Sequence, residues 1–228
     1  MILKKPKISV IMTVYNAEKF IKLSINSILH QSFKNFELII VDDCSSDLSK
    51  RAIKDYSDKR IKNFFLKNHI GRTPALNYGL KKAKGEFIAI LDADDLSHKD
   101  RLKIQYKFLN KNKNAQLVCT LTKFIDERNQ FIKNFWTPKN IDLLNKIILY
   151  ENVISHSSIM FKKKFLKKVG YYPTKYVYAQ DYALILRFAL KTRLYLIPKY
   201  LTKNRIVNTS MSKDKKLQKI IILEKIKL

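Results

Sequence analysis

Phe87-Ile88-Ala89-Ile90-Leu91-Asp92-Ala93-Asp94-Asp95 is the stretch on which the reading of this chain turns. An apolar run with isoleucine at alternate positions forms a strand buried on both faces, and three aspartates then stand at its C-terminal end. The same pattern occurs twice upstream. Ile8-Ser-Val-Ile-Met-Thr-Val-Tyr15 is a buried strand with Thr13, Tyr15 and Asn16 at its end, and Phe36-Glu-Leu-Ile-Ile-Val41 runs into Asp42-Asp43. Between the strands, Phe20, Ile21, Ile25, Ile28 and Leu29 recur at helical spacing, with Asn16 placed to cap that helix. Asp47 is the expected cap for a helix from Leu48 to Tyr56, and Ile61 to Leu66 reads as a strand. Thr73-Pro74 reads as a helix start, with Gly85 as its stop. Strands alternating with helices of this length predict an α/β fold, a mostly parallel sheet with helices on both faces.

The second half is less regular. Arg101 to Leu109, Ile141 to Leu149 and Phe165 to Val169 read as helices, the last stopped by Gly170; Leu117 to Thr122 and Ile159 to Phe161 read as extended. Asp126-Glu-Arg-Asn129 is a hairpin turn, and Gln180 to Leu190 an amphipathic helix with Asp181 in its first turn. With 228 residues, 4 Gly, 5 Pro and no linker-like stretch, the chain reads as one domain with a specialised C-terminal portion. Two cysteines, Cys44 and Cys119, exclude a disulfide framework or a zinc site built on cysteine alone. The start, Met1-Ile-Leu-Lys-Lys-Pro-Lys7, lacks the apolar core of a signal peptide, and no apolar stretch approaches the roughly 18 residues of a membrane span. The expected location is therefore cytoplasmic, with peripheral attachment to the inner face of the membrane as an option.

In open parallel sheets, ligands bind beyond the carboxyl ends of the strands, where the topology changes direction. Three polar clusters are predicted at such ends here. Carboxylates crowded there lose hydration and repel one another, and a hard divalent cation relieves both penalties. Mg²⁺ or Mn²⁺ prefers one or two carboxylates together with phosphate oxygens from a substrate, so the pattern suits a nucleoside diphosphate bridged to protein. Turn and helix capping is the competing reading, strong for Asp42 alone and weak for the Asp92 cluster.

Together these residues resemble a known family. Ile8 to Asn16, Ile40-Val-Asp-Asp-Cys-Ser-Ser-Asp47 and Ile90-Leu-Asp-Ala-Asp-Asp95 are similar to the three N-terminal signatures of glycosyltransferase family 2, inverting enzymes with the GT-A fold, a Rossmann-like architecture. Asn68 to Gly79 resembles the segment that links them, while His156-Ser-Ser-Ile-Met-Phe-Lys-Lys163 and Ala179-Gln-Asp-Tyr-Ala-Leu-Ile-Leu-Arg187 resemble the acceptor-side motifs. The resemblance covers roughly residues 7 to 212. It implies a nucleotide-sugar-binding half over about 1–100, an acceptor half over 101–212, and transfer from a UDP-sugar to a hydroxyl of a glycan or lipid-linked acceptor. It assigns Thr13, Tyr15, Asn16, Asp43, Arg72, Asn77, Asp92 and Arg205 to the donor, Asp94 and Asp95 to Mn²⁺ or Mg²⁺, and Asp181 to the general base. A carboxylate suits that last role because inversion needs deprotonation of the acceptor hydroxyl opposite the leaving diphosphate. Lipopolysaccharide, capsule or related bacterial polysaccharide synthesis is the implied setting. The chain departs from the pattern at Gln180, where Glu is common, and at Val207, where His is frequent in the Arg/Ser segment around Arg205 and Ser210.

His156 is a candidate contact to phosphate or acceptor, with a structural role as the alternative; Trp136 is a candidate acceptor platform, with packing as its alternative. His30, His69 and His98 read as structural or surface residues, and Cys44 as packing. The net charge of +27 calls for an anionic partner or reflects genome composition. Residues 213–228 read as a basic amphipathic helix suited to an anionic membrane, to a partner or to the domain itself. Two rivals remain in view. A sugar nucleotidyltransferase would carry a Gly-rich phosphate loop where Val14-Tyr-Asn-Ala-Glu18 stands, and a nucleic-acid-binding module would carry a binding signature that is missing, so nucleic acid is not an expected partner.

Overall fold

The computed structural model describes residues 5–176 and 178–207. The first half alternates strand and helix: β1 (Ile8–Val14), α1 (Ile21–Leu29), β2 (Phe36–Asp42), α2 (Ser49–Lys54), β3 (Ile61–Phe65), α3 (Arg72–Lys82) and β4 (Phe87–Ile90). The second half adds β5 (Leu96–Ser97), α4 (Arg101–Lys111), β6 (Leu117–Ile125), β7 (Phe131–Asn134), α5 (Ile141–Ile147), β8 (Met160–Lys162), α6 (Leu166–Val169), α7 (Gln180–Ala189) and β9 (Tyr195–Arg205). A 3₁₀ turn at His156–Ser158 precedes β8.

The strands form one sheet in the order β3-β2-β1-β4-β8-β6-β9-β5, with β7 paired to β6 as a hairpin arm. The first four strands are mutually parallel; β8 runs antiparallel to β4 and to β6, and β9 runs parallel to β6. Successive side chains of β1 enter opposite cores. Ile11 joins Leu76, Leu80, Tyr182 and Phe188 from α3 and α7, whereas Val10 and Met12 join Ile21, Ile25, Ile53 and Leu102 from α1, α2 and α4. Both faces are thus covered by helices, as the unbroken apolar runs require. Because β2 and β4 lie on opposite sides of β1, the topology switches direction between β1 and β4, and the expected polar clusters stand at the C-terminal ends of these strands.

Several local expectations are corrected. Asn16 does not cap α1: it adopts φ 49° and its side chain accepts the Ser46 N–H at 2.9 Å, which ties the loop after β1 to the loop after β2. α3 begins at Arg72 behind Gly71 at φ 90°, and Thr73 lies within its first turn, donating to the Tyr176 carbonyl. α3 ends at Lys82, short of Gly85. Gly85 is needed for a steric reason instead, since a Cβ there would sit 2.5 Å from the Ser9 backbone nitrogen. Asp47 does act at the start of α2, accepting the Ser49 N–H at 2.9 Å. Among the described residues, no helix is long and apolar enough to cross a membrane. The expected helix over 213–228 and the expected role of Ser210 lie outside the described residues.

Candidate active site

The end of β4 delivers its aspartates into three different environments. Asp92 receives Arg72 Nη2 at 2.7 Å and lies 3.4 Å from His156 Nδ1. Burial opposes its ionisation, but the guanidinium of Arg72, with His156 beside it, holds its carboxyl well below the usual carboxylate range. Asp94 follows on the next turn without a hydrogen bond from any other described side chain. Burial, reinforced by the charge of Asp92, pushes it up to about 6. Asp95 is buried and turned inward: Ser157 donates to its Oδ2, and the Arg205 N–H donates to its Oδ1 at 2.9 Å. Burial and the neighbouring Asp94 raise its pKa well above the ordinary value.

These environments separate the two aspartates assigned to a metal. Asp94 is a desolvated oxygen donor with no side-chain hydrogen-bond partner among the described residues, which a hard divalent cation would satisfy. Asp95 has both oxygens engaged by protein and braces the strand end. Among the described residues, no cluster of three or more His, Cys, Asp or Glu forms a protein-only metal cage.

Arg72 links this cluster to α7. Its guanidinium is stabilised in the charged form by Asp92 first, against the opposing effect of burial, and also by Asp181 and Asp94. His156 donates to or accepts from Tyr172 Oη at 2.8 Å through Nε2, so Asp92, Arg72, His156 and Tyr172 form one chain. Tyr172 is pushed well above its ordinary pKa, by burial and then by the charges of Asp181 and Asp92. Asp181 itself stands in the first turn of α7, with Asn152 Nδ2 3.4 Å from its Oδ2. Ala179 just ahead of it adopts the left-handed φ of 57°, a conformation that costs about 1–2 kcal/mol for a residue with a Cβ. Gln180 is buried, and its neutral amide avoids the desolvation of a second carboxylate beside Asp181.

A second cluster forms at the ends of β1 and β2. Asp43 is buried and accepts the Ile70 and Gly71 N–H groups at 2.8 Å each, while His69 Nδ1 lies 2.9 Å from Oδ2. The His69 ring stacks on Tyr15, centroids 4.1 Å apart and tilted by 31°. Tyr15 is 51% exposed, so a flat, open aromatic surface stands beside partly exposed Thr13. His69, read from the sequence as a structural or surface residue, is exposed and is brought to this cluster by the structure. Its only signal is a position in the segment leading into α3.

Three further assignments are defined by their partners. Asn77 donates to the Tyr172 carbonyl at 2.8 Å and accepts its N–H at 3.0 Å, so its amide clamps the loop that carries Tyr172. Arg205 donates to the carbonyls of Asp94 and Asp126 and to Asn129 Oδ1, locking the β6–β7 turn against the acidic strand end. Trp136 is 59% exposed on the segment after β7, which removes the core-packing reading. Cys44, at φ 63°, places its Sγ 3.5 Å from the Lys67 carbonyl, in keeping with a packing role. Arg101 looks like an ordinary helix residue in the sequence. In the structure it is fully buried, donates to Ser97 Oγ and to the Ile90 and Ser157 carbonyls, and is lowered to about 10 by burial.

A parallel α/β half with an acidic motif beyond β4, joined to a mixed half that brings a carboxylate from α7 toward it, defines a glycosyltransferase of the GT-A class. The model of the family described as Glycosyl transferase family 2 matches residues 9–193, and the chain belongs to that family. It is 37% identical over 210 residues to an uncharacterized glycosyltransferase of Methanocaldococcus jannaschii, covering 90% of this chain and 72% of that one. It is 40% identical over 171 residues to the Escherichia coli O-antigen biosynthesis glycosyltransferase WbnJ, covering 72% of this chain and 65% of WbnJ. Among solved structures, S. aureus TarS 1-349 in complex with UDP superposes with a TM-score of 0.74 at 26% identity, over 96% of this chain and 65% of that one. The chain thus spans about two thirds of the length of WbnJ and of that TarS chain.

Proposed function

We propose that the protein is a metal-dependent inverting glycosyltransferase that moves a sugar from a UDP-sugar to a hydroxyl of a glycan or lipid-linked acceptor in polysaccharide biosynthesis. The observation that carries the reading is the position of Arg72, which donates to Asp92 at 2.7 Å and lies within electrostatic reach of Asp181 and Asp94. A base candidate and the acidic strand end therefore both lie within electrostatic reach of one guanidinium. The similarity to TarS, solved with UDP, supports a uridine donor, and that to WbnJ supports a polysaccharide product.

The nucleobase would lie against Tyr15 and His69, with Asp43 and the backbone it organises forming the polar edge. Mn²⁺ or Mg²⁺, held by Asp94, would supply charge neutralisation at the departing diphosphate. Arg72 and His156 hold Asp92 ionised and fixed at the same rim. Asp181 takes the proton from the acceptor hydroxyl. The acceptor oxygen then bonds to the anomeric carbon as the bond to the diphosphate breaks, with the electron pair leaving on the phosphate. Attack opposite the leaving group inverts the configuration. A pocket that pairs uracil polar groups leaves them unpaired with a purine, and such losses discriminate strongly. In calorimetry with Mn²⁺ present, UDP is expected to bind more tightly than GDP; a preference for GDP would overturn the donor assignment.

A further inference from the structure

A cleft of about 680 Å³ opens at the opposite rim of the sheet, beside Gly85 and Phe87 at the start of β4. The acidic cluster lies at the other end of the strands, and the seven residues of β1 place the two rims about 20 Å apart. Lys5, Lys84, Lys113, Lys162, Lys164 and Lys167 line the cleft, together with Lys163, whose ammonium is committed to the Ala83 carbonyl. Glu86 is the sole acidic group in the lining, and Lys7 already holds it at 2.8 Å. Buried Phe87, Leu109 and Leu166 and the exposed Tyr171 supply the apolar part of the lining.

This arrangement is more than a solvated lysine face. Lys162 is only 8% exposed, and its ammonium is anchored by the Lys113 and Asn112 carbonyls at 2.7 and 3.2 Å. Burial, followed by repulsion from Lys164 and Lys113, lowers its pKa. Like charges gathered around one cavity, with no unpaired carboxylate among the lining residues, repel until an anion enters. The volume falls within the usual range for small-molecule sites, about 300–1,000 Å³. We propose that this cleft is a second binding site, for a ligand that carries two or more phosphate groups joined to an apolar portion. The phosphates engage the ammonium rim and the apolar part rests on Phe87, Leu109 and Leu166. This proposal does not depend on the donor or the base assigned above.

The test is titration of the whole chain with inorganic tripolyphosphate in EDTA, and with vesicles containing cardiolipin, a lipid that carries two phosphates on one apolar portion, in a parallel sedimentation assay. The variant Lys84→Gln/Lys164→Gln/Lys167→Gln removes three exposed charges of the rim, and Lys19→Gln/Lys139→Gln/Lys203→Gln removes three elsewhere. The rim variant is expected to lose at least about tenfold in affinity, equivalent to about 1.4 kcal/mol, while the control triple and Asp94→Asn retain wild-type binding. Melting temperatures equal to wild type establish that the variants fold. Tripolyphosphate binding assigns the site to soluble phosphates, and vesicle binding alone assigns it to lipid headgroups. Equal affinity in the rim and control variants, or no binding to either probe, overturns the proposal.

Discussion

Asp94 is held where its charged form is disfavoured: burial and then Asp92 push it up to about 6, against an ordinary value of 3.8. A carboxyl whose folded pKa lies above its unfolded one favours the folded state at low pH. That contribution disappears as pH rises from the unfolded value through about 6. At neutral pH, without metal, an ionised Asp94 is therefore a liability to the fold. Asp94→Asn is expected to raise the free energy of unfolding at pH 7 in EDTA by roughly 1–3 kcal/mol, and to abolish transfer. EDTA should abolish wild-type transfer, with Mn²⁺ or Mg²⁺ restoring it. A variant no more stable than wild type, or fully active, contradicts the role given to Asp94. The acidic motif was legible because three aspartates crowded behind a buried apolar strand are costly unless a cation or hydrogen-bond donors offset their desolvation. His69 and Tyr172 were not, because their roles depend on rings and hydroxyls from separate segments meeting at 4.1 Å from Tyr15 and 2.8 Å from His156. Arg101 was hidden for a related reason. A single arginine in a helical pattern carries no sign that its guanidinium is buried among carbonyls.

At the scale of elements, α3 decides how closely the site is built. A Cβ at Gly79 would stand 2.8 Å from Ile11 Cγ2, so the helix rests directly on β1. Asn77, two residues earlier, ties the same helix to the Tyr172 loop. Gly79→Ala is expected to destabilise by about 1–3 kcal/mol in urea titration, the usual range for overpacking. Gly85→Ala should be worse, since its Cβ meets backbone 2.5 Å away rather than a side chain. Wild-type stability in both variants would show that the sheet yields more easily than close packing implies. The buried strands β1, β2 and β4 were legible as unbroken apolar runs. The long β9 was not, because Tyr195-Leu-Ile-Pro-Lys-Tyr-Leu-Thr-Lys-Asn-Arg205 mixes lysines with Pro198. Pairing accommodates this by a bulge: Ile197 faces Thr120 and Tyr200 faces the next residue, Leu121, so Pro198 and Lys199 drop out of register. β5, at two residues, is too short to leave a pattern.

Over the whole molecule, the sheet separates two chemistries. Its C-terminal rim gathers aspartates around Arg72, and its opposite rim gathers lysines around a partly apolar cleft. The general α/β layout followed from the sequence, whereas the joining of the two halves through Arg72, His156, Tyr172 and Asp181 required three-dimensional closure of segments far apart in the chain. That closure is also where the mechanism is exposed to refutation. Asn in place of Asp181 keeps the volume and a hydrogen-bonding oxygen for Asn152, so UDP affinity in calorimetry should change little. Loss of general-base catalysis lowers kcat by about 10²–10⁴-fold. The measurement that tests the account most directly is turnover of Asp181→Asn beside an NMR determination of the wild-type product's anomeric configuration. A drop of that size with a configuration opposite to the donor's is predicted; near-normal turnover, or a retained configuration, would contradict a single displacement with Asp181 as its base.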